Sequence, residues 1–192
     1  MTEEWLPPAK IPRMFSTNQR RKGQRPPFLF SLTKTIRPIS INSMPIRNFP
    51  FLKTTPGSPA RAMLAIRVSN PDTGLFLDTY GLIDTGADDC AIPASLAKSL
   101  GYNLKAGKIK KIATGNGLTN AYTHLCTIDI FDTVDLVRGM LKVVYSTPDT
   151  PFDFLPRLNC ILLGTKSFLS KFILTIDYPK QVFSLRTPRS RR

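Results

Sequence analysis

From residue 61 onward the chain alternates between apolar and polar positions in short runs. Ala62, Leu64, Ile66 and Val68 alternate with Arg61, Met63, Ala65 and Arg67, which predicts a strand. Asn70-Pro71-Asp72-Thr73-Gly74 reads as a turn. A second strand follows from Leu75 to Ile83, carrying Phe76, Leu77, Tyr80 and Leu82. Ile92, Leu96 and Leu100 recur every four residues between Pro93 and Gly101, predicting one short helix packed on the sheet. Lys105 to Lys111 reads as a solvated, basic strand edge. The stretch from Ile112 to Thr119 predicts a hairpin tip, because its Gly and Asn residues accept positive φ. Tyr122, His124, Cys126, Ile128 and Ile130 share one face of the returning strand, where His124 reads as a packed or edge histidine.

Asp135 to Tyr145 is expected to be another strand, and Ser146 to Pro156 a loop punctuated by Pro148, Pro151 and Pro156. Asn159 to Gly164 reads as a short buried strand ended by glycine, with Thr165 placed to cap a helical turn holding Phe168 and Leu169. Phe172–Asp177 and Gln181–Leu185 form a closing hairpin around Tyr178-Pro179-Lys180. About seven short strands and one or two short helices predict an all-β, closed, barrel-like domain.

Composition sets the limits of that domain. Residues 1–60 hold 10 of the 17 prolines, and 10 Lys/Arg against 2 Asp/Glu, a net of +8. Residues 61–185 hold 13 against 11, a net of +2, and residues 186–192 add 4 Arg with no acid. The overall +14 therefore belongs to the ends of the chain. The expected organisation is a basic, Pro-rich, disordered extension over 1–60, a near-neutral domain over 61–185 and a basic tail over 186–192. The break falls at Pro56-Gly57-Ser58-Pro59, and Leu29, Phe30, Phe49, Phe51 and Leu52 are apolar enough to dock on the domain. The basic run Arg20-Arg21-Lys22 reads as solvated tail, with loose contact to nucleic acid or an acidic partner as the functional alternative.

No apolar run approaches the ~18 residues of a membrane helix. Glu3 and Glu4 oppose a secretory leader, and the Arg-bearing tail leaves an organellar address open. Cys90, Cys126 and Cys160, with no close pair among them, indicate reduced thiols in a cytoplasm-like compartment. No metal ligand set and no cofactor motif is expected: there is no P-loop, no G-x-S-x-G and no H-E-x-x-H.

The chemistry gathers at Leu82-Ile83-Asp84-Thr85-Gly86-Ala87-Asp88-Asp89. An apolar strand ending in a carboxylate sets that acid beside a core, Thr85 can bond locally, and Gly86 allows close approach. About 75 residues on comes a second apolar-Gly element, Ile161-Leu162-Leu163-Gly164. Together these motifs resemble the retropepsin-like aspartic proteases, closer to the cellular and bacterial single-domain members, over roughly residues 61–185.

The resemblance implies a homodimeric acid-protease barrel. It makes Asp84 the catalytic acid and Thr85, Gly86, Ala87 and Asp88 its supporting loop. Thr114, Gly115, Asn116, Gly117 and Leu118 take the place of the flap, and Ile161, Leu162, Leu163 and Gly164 pack behind the loop. It implies a polypeptide substrate, hydrolysed by a water that an Asp84 dyad activates across the dimer. Viral members place an arginine after the last glycine, which pairs with the acid matching Asp88; here Thr165 and Lys166 follow, and Lys lacks the bidentate fork. The rival reading is an inactive module of the same fold that dimerises or binds, its basic tails contacting nucleic acid or an acidic partner.

Overall fold

The computed structural model describes residues 16–17, 46–115, 117–133, 135–137 and 141–188. Arg20–Lys22, Phe28–Phe30, Asn116, Met140 and Arg189–Arg192 lie outside the described residues. The strands are β1 (Ser16–Thr17), β2 (Ile46–Pro50), β3 (Met63–Ser69), β4 (Phe76–Ile83), β5 (Ala91–Pro93), β6 (Lys108–Thr114), β7 (Gly117–Phe131), β8 (Val143–Ser146), β9 (Thr150–Leu155), β10 (Ile161–Leu163), β11 (Ile173–Asp177) and β12 (Val182–Arg186). Strands β4, β10, β5, β9, β7 and β3 follow one another, and β3 pairs back with β4. The ring is a closed six-stranded barrel, which leaves no open edge along its circuit. Strand β1 adds to the rim of β4, while β6 and β8 pair with β7.

Alternation accounts for the wall. In β4, Leu77, Thr79, Gly81 and Ile83 are buried, and the residues between them are half-exposed. They face Leu64, Ile66, Val68, Ile128, Ile130, Phe152, Phe154, Ile161 and Leu163, which fill the barrel. The β3–β4 register is pinned by Arg67, opposite Asp78. Its Nε donates to Oδ1 at 2.7 Å and its Nη2 to Oδ2 at 2.8 Å, with the guanidinium 4.0 Å above the Phe76 ring.

The structure differs from the sequence reading at four places. The helix expected over Pro93–Leu100 is a 3₁₀ turn at Ala94–Leu96, after which Leu100 N–H bonds back to Leu96 O and the chain turns at Gly101, φ +77°. Ile92 belongs to β5 instead of the helix, because Pro93 closes that strand in an extended conformation, ψ 124°. The strand expected from Asp135 shortens to β8. The Thr133 hydroxyl accepts from Asp135 N–H, and the Asp135 carboxylate accepts from Val137 N–H, so side chains take the donors that a ladder needs.

The expected loop over Ser146–Pro156 contains strand β9, with Phe152, Asp153, Phe154 and Leu155 all buried. Pro151 is tolerated because β9 there has β7 on one side only; β5 joins it from Asp153 onward. Finally, Thr165 does not cap a helix: its hydroxyl donates to Ala87 O at 3.1 Å, and the 3₁₀ turn forms later, at Leu169–Lys171.

The apolar residues near position 50 are docked. Strand β2 adds antiparallel to the closing hairpin, giving a three-stranded sheet of order β11-β12-β2. Ile46 is fully buried, and the rings of Phe49 and Phe51 meet Phe183 edge-on and tilted. Leu52 exchanges both backbone bonds with Arg61 at 2.9 Å. The packed chain thus reaches back through Pro56–Pro59 to Ile46. Each large apolar side chain so buried contributes about 1.5–3 kcal/mol. A chain starting at Ser58 is expected to lose about 2 kcal/mol or more relative to the full chain, read from urea midpoints at fixed protein concentration. Equal midpoints would show that β2 adds nothing.

Candidate active site

Strand β4 ends at Ile83, and Asp84 follows it at the edge of the pairing with β10. Parallel pairing sets Ile161, Leu162 and Leu163 beside Gly81, Leu82 and Ile83, and Asp84 N–H continues the ladder to Leu163 O at 3.2 Å. The half-buried Asp84 carboxylate folds over its own loop, where Oδ1 accepts from Gly86 N–H at 2.9 Å. The loop then hangs on the segment after β10. Thr165 N–H donates to Ala87 O at 2.8 Å, and Lys166 N–H donates to Asp88 O at 2.7 Å. Between them lies Gly164. A Cβ there would stand 2.6 Å from the carbonyl carbon of Asp89 and 3.0 Å from Ala87 O, so only glycine fits. The two elements on either side of a 75-residue gap are therefore one unit in space.

Opposite the loop stands the β6–β7 hairpin. Thr114 pairs with Gly117, φ +96°, close to the tip of the hairpin. Loop and hairpin enclose a cleft of about 750 Å³ lined by Asp84, Gly86, Ala87 and Asp88 from one side and by Ile112, Thr114 and Gly115 from the other. Leu162 lines its floor, whereas the exposed Leu118 does not line it. Thr85 faces a separate depression shared with Thr165 and Leu174.

Four carboxylates line the cleft: Asp84, Asp88, Asp89 and Asp153. Lys166 Nζ lies 3.0 Å from Asp88 Oδ2, so lysine does form the pair that arginine was expected to make, with one contact instead of two. Both groups are largely exposed, 67% and 77%, and such a pair contributes little. Lys110 Nζ holds the other two acids, at 2.6 Å from Asp89 Oδ2 and 3.0 Å from Asp153 Oδ2. These contacts raise the Lys110 pKa, the hydrogen bond to Asp89 most, so the ammonium stays charged. Among the described residues, Asp84 is the one carboxylate of the cleft with no cation bound to it.

Other nucleophiles are ill placed. Burial pushes the Cys126 thiol up to about 12 and raises Cys90 and Cys160 as well, so none offers a thiolate at neutral pH. His124 is packed, its ring 4.8 Å from Tyr102 and 5.3 Å from Phe154, with Nε2 3.1 Å from Leu104 O. Among the described residues, no three His, Cys, Asp or Glu side chains converge as metal ligands.

With that geometry in view, residues 77–166 match a family model described as aspartyl protease. Over this segment the chain is similar to the aspartyl proteases. The matched stretch begins in β4 and ends at Lys166, so Asp84, the hairpin and Gly164 all fall inside it. A solved structure of a retropepsin-like aspartic protease from Rickettsia conorii is 22% identical, covers 66% of this chain and 89% of its own, and superposes with a TM-score of 0.44. No curated protein matches the chain.

Sequence reasoning passed over two residues of this cleft, Lys110 and Asp153. Lys110 lay in a run of four lysines that read as solvated, and Asp153 lay among prolines that read as loop. The available signal was the alternation Phe152-Asp153-Phe154, which places an acid between two core rings.

Because backbone, and not a flexible side chain, fills the space beside Gly164, Gly164→Ala is expected to cost about 1–3 kcal/mol. Gly115→Ala, with nothing within 4 Å, should stay within about 0.5 kcal/mol of wild type. Chemical denaturation of the two variants side by side is the check; a neutral Gly164→Ala would contradict the close approach described here.

Proposed function

We propose that the protein is an aspartic endopeptidase whose catalytic dyad is Asp84 paired with Asp84 of a second copy. The observation that carries this reading is the state of the cleft's four carboxylates. Peptide hydrolysis by two acids requires that they share one proton: one holds it, while the other draws a proton from water as the water attacks the scissile carbonyl. An acid committed to an ammonium cannot take that part. Lys110 bridges Asp89 and Asp153, and the exposed Asp88 meets Lys166 at the rim, so among the described residues Asp84 is the cleft's one carboxylate without a cation, and a like partner comes from a second copy. A two-fold axis beside Asp84 supplies the second carboxylate.

The Gly86 N–H that binds Asp84 Oδ1 orients the carboxylate. Thr85, as in the proteases it resembles, would brace the dyad from each subunit. The hairpin of Thr114, Gly115, Asn116, Gly117 and Leu118 acts as the flap: it closes on an extended peptide and excludes water other than the nucleophile. Ile112, Ala91 and Leu155 in the cleft favour apolar side chains flanking the scissile bond.

Asp84→Asn changes few atoms and removes the shared proton, so cleavage in a peptide-library assay should fall to background while the fold persists. A well-folded Asp84→Asn that cleaves at a comparable rate would refute the mechanism. Specific activity should also fall on dilution, together with the dimer fraction measured by sedimentation. Full specific activity in a strictly monomeric sample would exclude the shared dyad.

A further inference from the structure

The buried carboxylate of Asp153 has no part in the reaction just described, yet three elements converge on it. Its side chain is 4% exposed. Thr123 Oγ1 donates to Oδ1 at 2.6 Å from β7, Lys110 Nζ donates to Oδ2 at 3.0 Å from β6, and Asp153 N–H bonds Cys90 O at the end of the Asp84 loop. Lys110 Nζ reaches onward to Asp89 in that loop. One ammonium therefore ties the hairpin both to the barrel wall and to the loop that carries Asp84.

The position of Lys110 along the hairpin is informative. Its partner across the ladder is the buried Ala121, and the next residue, Tyr122, is where β7 begins to pair with β9. Baseward of Lys110–Ala121 the hairpin is part of the barrel sheet. Tipward it is a two-stranded ribbon whose Lys111, Ala113, Thr114, Gly115, Gly117 and Leu118 are exposed. Lys110 thus stands on the last rung before the ribbon leaves the sheet. Lifting that rung would strip the ammonium from a buried carboxylate, which is unfavourable, whereas bending the ribbon beyond it breaks neither contact.

We propose that Lys110 is a positioning residue: by bridging Asp89 and Asp153 it fixes the hinge of the hairpin at the Lys110–Ala121 rung, so that residues 111–120 alone move to admit a peptide and close at a set height over Asp84. The proposal rests on the protease reading for its catalytic consequence, but its hinge can be read without activity.

Hydrogen exchange on the full chain tests it in wild type, Lys110→Arg and the double variant Lys110→Met/Asp153→Asn. The double variant removes the ion pair without leaving a bare buried charge, and asparagine still accepts from Thr123. Exchange at amides 117–123 should rise about ten-fold in the double variant while amides 63–69 and 76–83 keep their wild-type rates. Lys110→Arg should restore most of the protection. With a peptide substrate, the double variant should raise KM several-fold and change kcat by less than about two-fold, since the ground-state grip and not the dyad is altered. Unchanged exchange in the hairpin, an equal rise across β3 and β4, or a kcat loss at constant KM would each overturn the hinge. The two readings fail separately. A wild type that cleaves no peptide but shows the expected exchange pattern sinks the protease and leaves the hinge; Asp84-dependent cleavage with unchanged exchange sinks the hinge alone.

Discussion

The structure depends on the contact between two backbones at Gly164. The loop Asp84–Asp89 has no helix or strand of its own; its carbonyls at Ala87 and Asp88 are satisfied by Thr165 and Lys166 N–H, and Asp84 N–H is satisfied by Leu163. These bonds form only if the chain after β10 lies against the loop, and it can do so only where residue 164 has no side chain. The parallel β4–β10 pairing brings the two stretches together, and the closed barrel holds that pairing. Parallel pairing needs a long crossover, so the acid and the glycine that supports it must lie far apart in the chain.

On this frame the cleft is organised by charge. Lys110 contacts Asp89 and Asp153, Lys166 contacts Asp88, and the acid at the end of β4 is held instead by the backbone N–H of Gly86. An N–H orients a carboxylate without cancelling its charge. The same lysine that bridges Asp89 and Asp153 joins the β6–β7 hairpin to the barrel wall. The departure from the viral pattern after Gly164 fits this picture: Lys166 meets Asp88 at the exposed rim, while the more buried restraint sits elsewhere, at Lys110.

The amino-acid sequence by itself determined most of the strand pattern, the all-β class, the acid at the end of β4 and the glycines of the hairpin. These rest on period-two alternation and on residues whose backbone demands are local. What it misjudged were segments where local signals pointed one way and tertiary contacts decided otherwise. Prolines marked Ser146–Pro156 as loop, yet Pro151 lies where β9 has one neighbour only, and Phe152 and Phe154 enter the core. Composition drew the boundary near residue 60 while leaving Phe49, Phe51 and Leu52 apolar enough to dock; the form of the docking came from tertiary structure, where Ile46–Pro50 finds a free edge on β12 and rings on Phe183 to cover. Only tertiary structure showed that Lys110 contacts two acids 21 and 43 residues away, which leaves Asp84, among the described residues, as the carboxylate of the cleft with no cation bound to it. The reason is physical: propensity and periodicity are properties of neighbouring residues, whereas the partner of a charge is set by whichever strand the closed barrel places against it.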